Sequence, residues 1–243
     1  KAPQESTVVA IHVYVVKPTL TGSTWTYSRD EEITGMLNQL DWEFHRKGGL
    51  GAFKCLLVGD IESRAKQWGD ERWEIEIEVR LATETSFSTW YRGVIEEVNI
   101  RRIGNEVKTE LSGAGYTNEL RKISISTYFS APSDIRTMLI SLLDTKIVGV
   151  NSRILKNTGK LIPLANAYNT VSVVTLDKSA WDCIRALADL QGSIQWGVDV
   201  NREFYFLQES ASDVDQDHIF TGNDIVSIDH RVSNWKNITG LTT

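Results

Sequence analysis

The sequence predicts a mainly β fold of antiparallel strands with few helices, and three observations carry that prediction. "WEIEIEVRL" (73–81) alternates strictly between apolar and charged residues over nine positions, the period of a strand with one buried face. Other apolar runs come in neighbouring pairs joined by short segments of turn chemistry, as hairpins do. Only two segments carry helical spacing. At 243 residues the chain is long enough for one large β unit or two ordinary domains, and it needs no covalent staple.

Taken in order, the first element is "VVAIHVYVV" (8–16), a nine-residue apolar run with His12 inside it, read as a strand. A membrane-spanning helix needs about 20 apolar residues, so the expectation is a soluble protein without membrane integration. The chain starts at Lys1 with no signal-peptide pattern, which reads as a start that was removed or never included. "LDWEFHRKGGLGAFKCLLVGDI" (40–61) gives a strand, a glycine-rich turn at Gly48, Gly49 and Gly51, and a second strand through Phe53, Cys55 and Leu57. In 73–81, Trp73, Ile75, Ile77, Val79 and Leu81 share one face, while Glu74, Glu76, Glu78 and Arg80 share the other. Such charged residues are rarely buried, so the outer face is expected to be solvated. Glycosidases work with paired carboxylates across a cleft, and three glutamates on one strand face do not make such a pair.

"WYRGVIEEVNI" and "EVKTELSG" flank Gly104 and Asn105 and read as a hairpin. "GAGY" (113–116) comes next. A dinucleotide fingerprint would need a third glycine at position 118, where Asn118 stands, and a βαβ unit around it. Gly113 and Gly115 are therefore read as a sharp exit from the strand that lets Tyr116 and Leu120 tuck under the next segment of chain. "SDIRTMLISLLDTKI" (133–147) predicts a helix lying on the sheet, with Ser133 as N-cap and Ile135, Met138, Leu139, Leu142 and Leu143 on one face. Residues 147–174 are poor in charge and read as a crossover into a second unit. "SAWDCIRALADLQGS" (179–193) predicts a second helix, capped by Ser179 with Asp182 three residues on, burying Trp181, Ile184, Leu187 and Ala188, and stopped by Gly192. "IQWGVDV" and "EFYFLQE" then form a hairpin through Asn201 and Arg202, and "DIVSIDHRV" is the last strand.

Chemistry is sparse. The chain carries 26 basic and 32 acidic residues, a net charge of −6, which argues against sequence-independent nucleic-acid binding, since phosphate contacts need a basic face. Cys55 and Cys183 lie in apolar patterns and read as buried free thiols, suited to a reducing compartment. His12, His45, His218 and His230 show no metal-ligand spacing. Asp213, Asp215 and Asp217 superficially suggest a calcium loop, but Gly222 and Asn223 are misplaced for an EF-hand and a solvated acidic loop is preferred. No G-x-S-x-G elbow occurs, and no cofactor is expected. The eight tryptophans admit two explanations, a sugar-stacking platform in a carbohydrate-binding all-β module for host-surface recognition, or core and subunit contacts, and the second is preferred.

In sequence order, "LDWEFHRKGGLGAFKCLL", "WYRGVI" leading to "LSGAGYTNEL", "DIRTMLISLL" and "SAWDCIRALADLQGSIQWGVDVNREFYFLQ" resemble the hub proteins of phage tails, baseplates and related contractile injection machines. The carrying motifs are Tyr91 to Val94 with Gly93, Gly115 to Leu120, a short helix at 133–145, and Trp181 through Asp199. The resemblance implies two related antiparallel β-barrel domains, each with one short amphipathic helix. They would occupy 1–130 and 176–243, joined by a helix and crossover at 131–175. The second barrel is expected to be incomplete here, its closing strands lying beyond "NWKNITGLTT" or coming from elsewhere. The family reading is of a non-enzymatic virion protein, assembled in the host cytoplasm, whose homotrimer forms a ring that continues the tail tube channel. Its expected partners are the tail tube protein, distal tail or baseplate proteins, and spike or fibre proteins, with DNA or the tape-measure protein only in transit. Gly48, Gly49, Gly51, Gly93, Gly113, Gly115, Tyr116, Trp181, Gly192 and Trp196 are then structural, serving turns and packing rather than catalysis.

Overall fold

A computed structural model describes residues 8–45, 47–104, 106–129, 132–148, 153–161, 170–171, 174–208 and 228–233. A hairpin of β1 (Val8–Thr21) and β2 (Thr24–Glu32) opens the chain. A one-turn segment, Thr34–Met36, leads into β3 (Leu37–His45), β4 (Gly49–Val58) and α1 (Glu62–Asp70). Next come β5 (Glu74–Leu81), β6 (Ser88–Ile103) and β7 (Glu106–Gly115), closed by the tight helical turn Tyr116–Arg121. The second half holds β8 (Ser124–Phe129), β9 (Ser133–Asp134), α2 (Ile135–Leu142) with a wide final turn Leu143–Ile147, and β10 (Leu155–Leu161). It continues with β11 (Thr170–Val171), β12 (Val174–Ser179), α3 (Ala180–Gln191), β13 (Ile194–Val198), β14 (Glu203–Gln208) and β15 (Ile228–Ser233).

The mainly β expectation holds. One sheet has eight strands in the order β15-β3-β4-β7-β6-β5-β1-β2, and a smaller one has the order β10-β14-β13. Among the described strands, β15 pairs parallel with β3 and β10 parallel with β14, where the sequence led us to expect antiparallel neighbours throughout. Among the described residues no sheet closes into a barrel, yet the large one curls strongly. In the strand order, five spacings separate β1 from β3, about 24 Å if flat. Ile33, however, bonds to Val13 of β1 at 2.8 Å, and β3 begins four residues later, a reach of at most about 14 Å. The sheet must bend to satisfy both.

The concave face encloses one core, with Val13, Val15, Ile75, Ile77, Tyr91, Leu111, Phe53 and Trp42 among its residues. α1 adds Ala65 and Trp68, both buried. The sequence reading missed this helix, because its nine residues are mostly polar and no side chain caps its start. A second core gathers α2, α3, β13 and β14, and draws Val94 from the first sheet and Tyr116 and Leu120 from the turn after β7. α2 begins one residue later than expected: Asp134, not Ser133, is the cap, its carboxylate accepting the Thr137 N–H at 2.9 Å. Ser133 is instead paired with Val171 in β9. α3 starts at Ser179 and stops at Gly192 (φ +75°), as its sequence signals say.

Candidate functional site

β5 sits between two different neighbourhoods. Its inward residues, Ile75, Ile77 and Val79, are fully buried, as alternation predicts. The outward face corrects the expectation of solvated charges: Glu74 is 0% and Glu76 3% exposed, because the second half of the chain and β2 cover them. A carboxylate buried without partners would cost many kcal/mol, and each finds several.

Glu74 Oε1 accepts from Arg153 Nη1 at 2.8 Å. Its Oε2 accepts from Arg202 Nη2 at 2.7 Å and from the Tyr116 hydroxyl at 2.6 Å. Arg153 Nη2 also donates to the Arg72 carbonyl at 2.8 Å. Aromatic rings of β2 cover the guanidiniums: Arg153 lies 5.0 Å from the Trp25 ring centre and Arg202 3.2 Å from that of Tyr27. Burial, with Glu74 adding to it, pushes the Tyr27 hydroxyl up to about 12 and the Tyr116 hydroxyl well above its ordinary value. Burial works against the Arg202 charge, but the charge and hydrogen bond of Glu74 favour it and its pKa is raised. Both phenols therefore stay protonated and Tyr116 remains a donor. Two residues along β5 on the same face, Glu76 accepts from Arg29 Nε at 2.8 Å and from Arg92, whose Nη1 reaches the Val200 carbonyl at 3.0 Å.

A backbone contact lies alongside this ionic seam. Gly48 N–H donates to the Trp196 carbonyl at 2.7 Å, and Val198 N–H to Thr117 Oγ1 at 2.9 Å. A Cβ on Gly48 would stand 2.6 Å from the Trp181 ring, and one on Gly197 2.6 Å from the Gly49 nitrogen. Trp181 and Trp196 meet edge to face at 4.8 Å, with Arg121 over Trp181.

Of the residues singled out from sequence, Gly48, Gly49, Tyr116, Trp181 and Trp196 thus converge on one seam. Gly93, Gly113 and Gly115 lie in the β6–β7 pairing, where a Cβ on Gly113 would fall 1.9 Å from the Val94 carbonyl oxygen and one on Gly115 2.4 Å from Leu50. The Gly51 carbonyl accepts from the Tyr91 hydroxyl at 2.7 Å, and Gly192 stands apart at the end of α3. The sequence reading placed Glu74 on a solvated face and Arg202 only in a turn, and it did not single out Arg153, Thr117 or Gly197. The one signal available was Arg153, a lone charge in "IVGVNSRIL" (147–155).

Elsewhere the chemistry is thin. Cys55 and Cys183 are free and buried, in separate cores, and burial raises both thiols above their ordinary range. His12 is bonded to Glu32 at 2.6 Å. Among the described residues no three His, Cys, Asp or Glu are placed to hold a metal ion. His218 and the Asp213, Asp215 and Asp217 loop lie outside the described residues, and of His230 only its place in β15 is described. Of the seven described tryptophans, four are buried and three partly so, and none is exposed. A groove of about 590 Å³ crosses the outer face of β3, β4, β7 and β6, lined by Asp41, Glu43, Glu96, Glu97 and Glu110 around Lys54. No helix among the described residues is long and apolar enough to cross a membrane.

No family model and no curated protein sequence matches the chain. Solved structures do. The 43 kDa tail protein of prophage MuSo2 from Shewanella oneidensis superposes with a TM-score of 0.50 at 11% identity, over 83% of this chain and 56% of that one. The fold is that of a phage tail protein. A chain of the lidded Francisella PdpA–VgrG complex gives a TM-score of 0.51 at 9% identity, over 88% of this chain and 31% of that one. Its lidless counterpart gives 0.50 at 7% identity, over 85% and 36%. The chain thus spans little more than half of the tail protein and about a third of the complex chains. At these identities the likeness is one of architecture, which does not by itself fix function.

Proposed function

We propose that this chain is a non-enzymatic structural hub of a phage tail tip or baseplate, or of the related contractile injection machines. Its two units, residues 1–130 and 176–243 joined through 131–175, form one third of a homotrimeric ring that continues the tail tube channel. The ring anchors spike or fibre components distally, and DNA or the tape-measure protein meets it only in passage. The observation that carries this reading is the two-core β fold, which has the architecture of a prophage tail protein across 83% of the chain. A second support is where the buried polar groups go. Arg153 and Arg202 both bind Glu74 across a seam, where the charges are spent on one another, which suits a part that transmits position rather than one that turns over substrate.

Light scattering on the purified chain across a concentration series, together with images of assembled particles, tests the proposal. A mass of three copies at high concentration, and threefold density continuous with the tube, are the expected results. Trimerisation outside the particle is expected to be weak, because neighbours in the assembly add avidity. A strict monomer missing from the tail in particle images would sink the reading.

A further inference from the structure

The seam contains an arrangement that plain packing does not require. Two guanidiniums, Arg153 and Arg202, are each 7% exposed and share one carboxylate, Glu74. The cluster therefore holds one more positive than negative charge among the described residues. Two donors there, Arg202 Nε and Trp25 Nε1, are buried without a hydrogen-bond partner among the described residues. Arg202 also holds a left-handed backbone, φ +66°, which a residue with a Cβ rarely adopts. Apolar residues of similar volume would fill such a seam at no loss of stability, and buried ionic groups often serve specificity or switching instead.

The ribbon above the cluster is equally dependent on it. β1 pairs with β5 only as far as Val16, opposite Glu74, so Lys17–Ser28 is a two-stranded ribbon beyond the end of the sheet. A lone hairpin is marginal in water. What holds this one down is Trp25 on Arg153, Tyr27 on Arg202 and Lys17 over Trp73 at 5.2 Å. The groups facing Glu74 are Tyr116 from the turn after β7, Arg153 from the segment before β10, Arg202 from the β13–β14 turn, and Tyr27 from β2.

We propose that Glu74 is the bolt of an ionic lock: it straps the β1–β2 ribbon onto the second unit and makes the two cores open as a single event. Among the described residues, Glu74 is the one group that touches β7's exit, both arginines and, through them, the ribbon. With its charge present, each guanidinium has a counterion and a ring to lie on. Without it, two like charges share a dry site, and the seam relieves them by admitting water. Ribbon, β13–β14 turn and second core then move away from β5 while the eight-stranded sheet stays folded.

Native-state hydrogen exchange on the full 243-residue chain tests the lock. In the wild type the slowest amides of β4 and β7 and those of β13 and α3 are expected to exchange at the same rate within about tenfold. In Glu74→Gln, amides of the ribbon and of β13 should speed up by about a hundredfold or more while those of β4 and β7 stay put, in line with the loss expected when one partner of a buried ion pair is removed. Restoring charge balance by apolar means, with Glu74→Leu, Arg153→Met and Arg202→Met together, should return β13 to within about tenfold of wild type. Three results overturn the proposal: wild-type cores that already open at rates more than about a hundredfold apart, unchanged exchange in Glu74→Gln, or a triple variant as open as the single one. If Glu74→Gln yields no folded protein, the wild-type comparison and the triple variant still decide.

Discussion

The sharpest test of how this fold is built is Gly113→Ala. Gly113 pairs with Phe53 on one side and Ile95 on the other, in the middle of the eight-stranded sheet. An added Cβ would stand 1.9 Å from the Val94 carbonyl oxygen and 2.8 Å from Phe53 Cε1. A close carbon-to-oxygen contact is about 3.3 Å, so the backbone of β6 would have to retreat by more than an ångström. Overpacking of this kind costs about 1–3 kcal/mol, and each ladder hydrogen bond lost in the retreat adds about 1 kcal/mol. With one or two bonds lost, the expected destabilisation is about 2–5 kcal/mol, a large share of the usual 5–15. Gly35→Ala is the control, since nothing lies within 4 Å of its Cβ and its φ is ordinary. There the change should be near zero or stabilising by up to about 1 kcal/mol, through the unfolded chain. Urea denaturation followed by circular dichroism reads both, the midpoint of Gly113→Ala falling by about 1 M or more. A Gly113→Ala midpoint indistinguishable from Gly35→Ala would refute the claim that backbone proximity fixes the glycine.

Three further outcomes are expected. Ser179→Ala removes the hydroxyl that accepts the Asp182 N–H at 3.2 Å, and should cost about 1 kcal/mol in the same assay. Burial pushes the Glu119 carboxyl up, but hydrogen bonds from Lys122 and Arg72, with their charges, outweigh it and hold the group below its ordinary 4.5. A depressed folded pKa means the stabilisation is full above 4.5 and fades as pH falls through the lower folded value. Melting temperatures of wild type and Glu119→Gln should thus differ at neutral pH and converge in acid; a constant gap across pH would contradict the pairing. Cys55 and Cys183 should resist Ellman's reagent in the folded chain at pH 8 and both react in urea, because burial denies access and disfavours the thiolate.

Much of the architecture was legible in the residues. Alternation along Trp73–Leu81 reports the concave face directly, since inward side chains at period two have nowhere else to go. Gly104, with φ +62°, marks the β6–β7 turn, and Ser179 with Gly192 brackets α3. What stayed hidden depends on contacts across long stretches of chain. α1 carries only Ala65 and Trp68 into the core, too few to show a period. The parallel pairing of β10 with β14 joins residues about 48 positions apart, Leu155 opposite Glu203, and no turn announces it. The seam is of the same kind: its ion pairs link Glu74 to residues 79 and 128 positions further on.

The misreading of Glu74 and Glu76 shows where a period-two pattern stops being informative. Alternation says that one strand face differs from the other, not that the polar face meets water. A charged residue is compatible with either environment so long as partners arrive, and here they arrive from β2, from β6, from the turn after β7 and from the segments around the second core. The glycines carry the complementary half of that information. Gly49 and Gly197 give up side chains where two backbones must approach and Gly48 where the Trp181 ring must, as the Cβ positions show, and the arginines supply charge where two buried surfaces meet. Both devices act at the same seam, one by removing bulk and the other by matching charge. Two cores that needed only to be tethered would require neither device, so their joint presence says that this seam fixes how the cores sit against each other.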